Sequence, residues 1–451
     1  MPARLIESLA TTEPLDEIFS DRSVLQAMLD FEGALARAEA HAGMIPESAA
    51  AAIRKAAKAD EFDAAKLTPA ILRAGTPGIP LVKAFTDRVR EKNADAARYV
   101  HWGATSQDVA DTALVLLLGK SQSVLNSDLS RVERALKKLS QEHKNTVMLG
   151  RTLMQPAPPV TLGLKAATWF AAVARSRNDL DDAFSEALVV QFGGASGTLA
   201  SLGKQGIEIA RNLANELKLG IADAPWHTQR DRLATLLCAC GVLTGSLGKM
   251  ARDISLLMQS EVAEVAEPRG QGRGGSSTMP HKQNPIGCAL TLAAAQRVPG
   301  LVASFLTGMV QEHERGLGGQ AEWPTVASII QATGLALASM AEVSEGLSVN
   351  KAQMRANLNA THGMIFAERA MMILGAELGR DVAHKVIKEA IREGTKQKRH
   401  LAEVLAEVPE VTKQLDAKRL RSLEAPEEYL GSAEAFRKAM ISSASKKSKK
   451  K

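Results

Sequence analysis

The stretch 236-LLCACGVLTGSLGKMARDISLL-257 decides the fold class. Leu236, Cys240, Leu243, Leu247, Met250, Ile254 and Leu257 recur at alternating steps of four and three residues. That stagger draws one apolar seam along a helix of 3.6 residues per turn. No proline falls between Pro225 and Pro268, so one helix of about 30 residues, roughly 45 Å long, is predicted.

Working outward, the same stagger returns at Leu125, Leu129, Val132, Leu136 and Leu139, and again at Val326, Ile330, Thr333, Leu337 and Met340. Several seams in one chain must bury against each other, which predicts an all-α fold around a central long-helix bundle. More apolar helix face exists than one bundle buries, so association with further copies of the chain is expected. Aromatics are only 4% of the chain while Ala and Leu abound, and both lose little side-chain entropy in helices. Strand signals are poor; the best is Leu188 to Phe192 before Gly193-Gly194. Glycine and proline cluster at 76–80, 193–197 and 268–275. The expected layout is three helical domains: an N-terminal domain over 1–112, the long-helix bundle over 113–350 and a C-terminal domain over 351–441. A disordered Lys-rich tail is expected over 442–451.

Charge narrows the function classes. Five of the six net positive charges are Lys446, Lys447, Lys449, Lys450 and Lys451; the body is near neutral. A nucleic-acid surface needs its cations on folded elements with stacking aromatics nearby, and this tail has neither, so no nucleic-acid partner is expected. No unbroken apolar run of about 18 residues occurs, so no membrane span is expected. The N-terminal segment lacks a basic-then-apolar leader, and Cys238, Cys240 and Cys288 form no C-x-x-C. A reducing, cytoplasmic compartment is the expectation. The histidines show no i, i+4 pair and no cysteine cluster, so no metal is expected. Without a nucleotide fingerprint, no cofactor is expected either.

The richest chemistry lies in 270-GQGRGGSSTMPHKQNP-285. Glycines let backbone N–H groups approach a ligand. Ser276 adds a hydroxyl, Lys282 a cation and Asn284 an amide. The segment reads as an anion-binding loop carrying a hydroxyl.

This string resembles the G-S-S-x-M-P-x-K-x-N signature of the fumarase/aspartase superfamily at every fixed position. The resemblance implies that Ser276 is the catalytic proton carrier and that Lys282 and Asn284 hold a substrate carboxylate. Those enzymes move a proton on carbon beside a carboxylate, so charge collects on that carboxylate; fixed N–H groups and a lysine stabilise it most in the transition state. A serine is a weak base in water and needs donors around it or a dry site.

A second stretch, 99-YVHWGATSQD-108, resembles the superfamily's first substrate-binding segment. It implies substrate contacts at His101, Thr105 and Ser106. A third, 150-GRTLMQ-155, resembles G-R-T-H-x-Q and implies a contact at Gln155, but Leu153 stands where the superfamily has histidine. A second superfamily histidine, expected near Gly78-Ile79-Pro80-Leu81-Val82, is also absent.

An amine leaving group must be protonated; a carboxylate, already stable as an anion near neutral pH, need not be. The missing imidazoles therefore fit the bacterial 3-carboxy-cis,cis-muconate cycloisomerase branch. There a carboxylate of the substrate adds across its own double bond, in the protocatechuate branch of the β-ketoadipate pathway. The segments 191-QFGGASGT-198, 226-WHTQRDR-232 and 311-QEHER-315 resemble that branch too. A tricarboxylate needs several cations, and Lys282, Arg230, Arg232 and Arg315 are candidates, with Gln229 as a polar contact. The resemblance implies a homotetramer with active sites shared between subunits. The alternatives are an adenylosuccinate- or argininosuccinate-type lyase releasing fumarate, and a non-catalytic structural relative.

Overall fold

The computed structural model describes residues 5–270, 272–279 and 281–447, the side chains of 444–447 excepted. Among these residues eighteen α-helices and three two-stranded sheets form. The deciding stretch folds as expected: one helix runs Asp231–Leu257. All seven of its seam residues are buried, as are the five in each of the other two seams. Those lie on Ser106–Glu142 and Glu322–Gly346. Leu162–Ala187 and Ile286–Thr307 complete the set of long helices.

The chain divides into two compact units. The first comprises the chain up to Ser130, Ser176–Gly248 and Leu290–Ser339. Its core is built on Asp21–His41, whose first turn is capped by Ser20, the side-chain oxygen accepting from the Ser23 N–H at 3.2 Å. That helix packs against Glu47–Ala56 and Gly206–Leu217, burying Phe31, Leu35, Ile53 and Leu213.

The second unit comprises Arg131–Arg175, Lys249–Ala289 and Met340 onward. Its C-terminal helices Ala367–Leu378 and Arg380–Gln397 pack together over Leu374, Ile387 and Leu405. The last helix, Ala433–Lys447, continues past residue 442, where the tail was expected to begin; residues 448–451 lie outside the described residues.

A hairpin in the second unit was not anticipated. Val147–Thr152 pairs antiparallel with Gln155–Thr161. Three prolines in the second strand, and a turn without glycine or asparagine, hid it from pattern reading. The expected strand near 188–192 shrinks to Val189–Val190, parallel to Gly220–Ile221.

Although no unbroken apolar run of about 18 residues occurs, three helices reach membrane length and apolarity on average. Asp231–Leu257, Ile286–Thr307 and Gly319–Gly346 are each long and apolar enough, by length and composition, to cross a membrane. Isolated charges such as Lys249 and Arg297 break the apolar runs without abolishing the average. In the folded chain the windows of the first and third are 61% and 67% buried, that of Ile286–Thr307 only 28%.

Candidate active site

In the first unit the site grows from the start of the Ser106–Glu142 helix. Asp108 is fully buried. Its carboxylate accepts from the backbone N–H groups of Thr105 (3.0 Å), Gly193 (3.1 Å) and Gly194 (3.0 Å), and from His227 Nε2 (2.7 Å). Glycine is required at 193, where a Cβ would sit 2.6 Å from Pro225 and 2.8 Å from His227. Thus 191–198, 226–232 and the T-S-x-D turn are tied together by one carboxylate. Asp108 is a buried tie between these segments, and His227 is one of its partners.

One turn on, Asp111 grips Arg230 through two hydrogen bonds of 2.8 and 3.0 Å. Glu322 takes the other side of the same guanidinium at 2.8 and 2.6 Å, and Arg230 lies over the Trp226 ring at 4.9 Å. Burial works against the Arg230 charge, but Asp111 and Glu322 outweigh it and hold its pKa above the usual arginine value. Burial in turn pushes the Glu322 carboxyl up, against the pull of Arg230.

Above this network lies a cavity of about 690 Å³, whose wall includes Ile79, His101, Thr105, Ser106, Gln107, Arg230 and Arg315. Arg315 is exposed and anchored by Thr105 Oγ1 at 2.7 Å and Gln107 Oε1 at 3.3 Å. Among the described residues no carboxylate pairs with it. Ile79 presents an apolar side chain near where the superfamily's histidine was expected. His101 Nδ1 meets Glu32 Oε1 at 2.7 Å. Of the proposed contacts, then, His101, Thr105, Ser106, Arg230 and Arg315 share one wall. Gln229 is exposed beside Arg230 and does not line the cavity. Arg232 instead approaches Glu186 at 4.0 Å.

The serine loop belongs to the second unit. Ser276 Oγ accepts from the backbone N–H groups of Met279 (3.1 Å) and Thr278 (3.3 Å). Two backbone N–H groups thus face the hydroxyl oxygen. Asn284 closes the loop through its N–H to the Gly274 carbonyl (2.9 Å) and its side-chain amide to the Gly275 carbonyl (3.4 Å). Gly274 has φ +66°, and a Cβ there would meet the Asn284 carbonyl at 2.5 Å, so only glycine fits. Lys282 is exposed. Behind the loop, buried Glu267 accepts from the Gly287 and Cys288 N–H groups at 3.0 and 2.8 Å, capping the next helix. Gln271 and Pro280 of this segment lie outside the described residues.

Gln155 opens the second strand of the hairpin, opposite Thr152. Between the strands stand Leu153 and Met154, 97% and 73% exposed, with φ of 50° and 65°. Arg151 below them is locked onto buried Glu264 by hydrogen bonds of 3.1 and 2.8 Å. Sequence reading missed the carboxylates Glu32, Asp111, Glu264, Glu267 and Glu322. One signal was available: Glu32 falls on the apolar face of its helix, between Met28, Leu29 and Leu35.

Residues 8–300 match the lyase family, and residues 363–439 match the adenylosuccinate lyase C-terminus family. The 3-carboxy-cis,cis-muconate cycloisomerase of Bradyrhizobium diazoefficiens is 47% identical, covering 96% of both chains. That of Pseudomonas aeruginosa is 46% identical, covering 96% of this chain and 95% of its own. The crystal structure of 3-carboxy-cis,cis-muconate lactonizing enzyme from Pseudomonas putida superposes with a TM-score of 0.93 at 44% identity, covering 98% of this chain and 99% of that one.

Proposed function

We propose a reaction for this chain from one premise: it belongs to the lyase family of the fumarase/aspartase superfamily. The chain is a cycloisomerase that lactonizes 3-carboxy-cis,cis-muconate to 4-carboxymuconolactone. A carboxylate oxygen of the substrate attacks its own alkene, forming the ring C–O bond. The alkene π pair moves onto the adjacent carbon and its carboxylate. Lys282 and Asn284 hold that carboxylate while charge collects there. Ser276 then donates its O–H proton to the carbon, and the serine oxygen is left facing the N–H groups of Thr278 and Met279 until solvent reprotonates it. In the reverse direction the same oxygen takes the proton.

His101, Thr105, Ser106 and Arg315 bind the remaining carboxylates, with Arg230 shaping the wall beneath them. Gln155 and Gln229 are further polar contacts. The attacking group is part of the substrate, so proximity comes without a second reactant. No step calls for a cofactor.

The observation that carries the reading is Ser276 Oγ held by two backbone donors in a chain with Leu153 at one expected imidazole position and no histidine over residues 78–82, near the other. A serine so placed manages a proton on carbon, and a carboxylate leaving group needs no acid. The test is loss of conjugated-diene absorbance across a panel of substituted muconates, with fumarate release from succinyl substrates as control. Turnover of the 3-carboxy compound is expected. Fumarate release without lactonization would overturn the reading.

We extend it to a cytoplasmic homotetramer with active sites drawing on more than one subunit. Two observations support association: the largely uncovered apolar window of Ile286–Thr307 and the exposed Leu153-Met154 tip. Light scattering giving a monomer would count against it.

A further inference from the structure

A substrate with three carboxylates calls for more cations than the cavity wall openly offers. Lys83 is paired with Asp87, and Arg230 is taken by Asp111 and Glu322. His101 is the remaining candidate, and what it does depends on a residue that lines no cavity. Glu32 projects from the Asp21–His41 helix and is 1% exposed. One of its oxygens meets His101 Nδ1 at 2.7 Å; the other has no partner among the described residues. His101 itself sits at φ +59°, a left-handed conformation that is costly for a non-glycine residue. The turn and the carboxylate together fix the ring, and Nε2 has no protein partner among the described residues.

We propose that Glu32 is a positioning residue that holds His101 through Nδ1 so that Nε2–H donates to a substrate carboxylate beside the one bound by Arg315. The proposal rests on the carboxymuconate reading for the number of carboxylates. Its electrostatics agree. Burial pushes the His101 pKa down, but Glu32, with help from Asp108, outweighs it and leaves the ring above its usual value. The charged groups facing the ring or sharing its wall are Glu32 on Asp21–His41, Asp108 and Asp111 on Ser106–Glu142, Glu322 at the start of Glu322–Gly346, and Arg230, Arg315 and Lys83. Two turns beyond Glu32, buried Glu39 has no partner for either oxygen among the described residues. Burial, with Glu32 nearby, pushes its carboxyl up to about 9. Glu39 is therefore held toward its neutral form, and Glu32 is the carboxylate in contact with His101.

Glu32→Gln keeps the shape and an acceptor for Nδ1–H but removes the charge. The KM for 3-carboxy-cis,cis-muconate is expected to rise about tenfold with kcat changed less than about threefold, the mark of lost binding that is uniform along the reaction. The alkaline limb of kcat/KM is expected to move to lower pH. His101→Gln is expected to raise KM equally, and the double variant no further. If Glu32→Gln is too unstable to assay, Glu32→Asp, which keeps the charge and withdraws the oxygens, is expected to raise KM with the pH limb in place. A wild-type KM and pH limb in Glu32→Gln, or additive effects in the double variant, would overturn the proposal. Absence of wild-type turnover would instead count against the substrate reading. Calorimetric binding of the unreactive tricarboxylate tricarballylate then reads the same contrast between wild type and Glu32→Gln: weaker binding supports the role, and equal binding overturns it.

Discussion

The cavity wall and the serine loop are built on opposite plans. In the wall, Asp108, Asp111, Arg230 and Glu322 are all at most 4% exposed; Arg230 is bonded to Asp111 and Glu322 at 2.6–3.0 Å, and Asp108 to two loop N–H groups, its own turn and His227 at 2.7–3.1 Å. In the loop, Ser276, Lys282 and Asn284 are partly or fully exposed and held through backbone atoms. A buried charge network is rigid because an unpaired member is costly. The loop is held instead by local bonds that involve its own main chain, with no buried ion pair fixing Ser276, Lys282 or Asn284 among the described residues. The proposed mechanism asks the wall to shape and orient and the loop to carry the chemistry.

Breaking each region should therefore damage different quantities. Ser276→Ala is expected to lower kcat by about 10³ to 10⁴-fold while leaving the urea unfolding midpoint within error. A similar loss of both would erase the distinction. Arg230→Ala leaves Asp111 and Glu322 buried without their cation. It is expected to cost about 3–5 kcal/mol of stability, read by urea unfolding at fixed protein concentration. Turnover lost with unfolding unchanged would make Arg230 a substrate ligand first and scaffold second.

A third test asks whether the helix behind the wall is as dry as its packing implies. The folded-state pKa of Glu39, about 9, lies above that of an unfolded glutamate. The folded state therefore holds a proton that the unfolded state releases. Stability is complete below the unfolded pKa and falls as pH rises toward 9, by up to about 1.4 kcal/mol per pH unit. Glu39→Gln is expected to flatten that slope between pH 5.5 and 7.5. An unchanged slope would mean that water reaches Glu39.

The smallest effect belongs to the hairpin tip. Leu153→Asn suits the left-handed turn better and is expected to stabilise the isolated fold by about 0.5–1 kcal/mol. If the tip meets another subunit, the same change weakens association instead, and sedimentation separates the two.

The long helices were legible in the sequence because their seams are local. Leu236 and Leu257 need no knowledge of their neighbours to declare a face. The hairpin was not legible, since prolines at 156, 158 and 159 argue against a strand until a partner strand is present. Ser276, Lys282 and Asn284 could be read because they lie within nine residues of each other. Glu322 could not, standing 92 residues from Arg230.

By itself the sequence determined the helical class, the serine loop and the absence of imidazole at Leu153 and over residues 78–82. These depend on periodicity and on neighbouring residues, which a chain carries along its length. Only the tertiary structure decided which cations are spent on the scaffold. Arg230 and Arg315 are both plain arginines in the sequence, but folding closes two carboxylates around the first and leaves the second facing the cavity. A charge is neutralised by what lies within a few ångströms, and only the folded chain sets those distances.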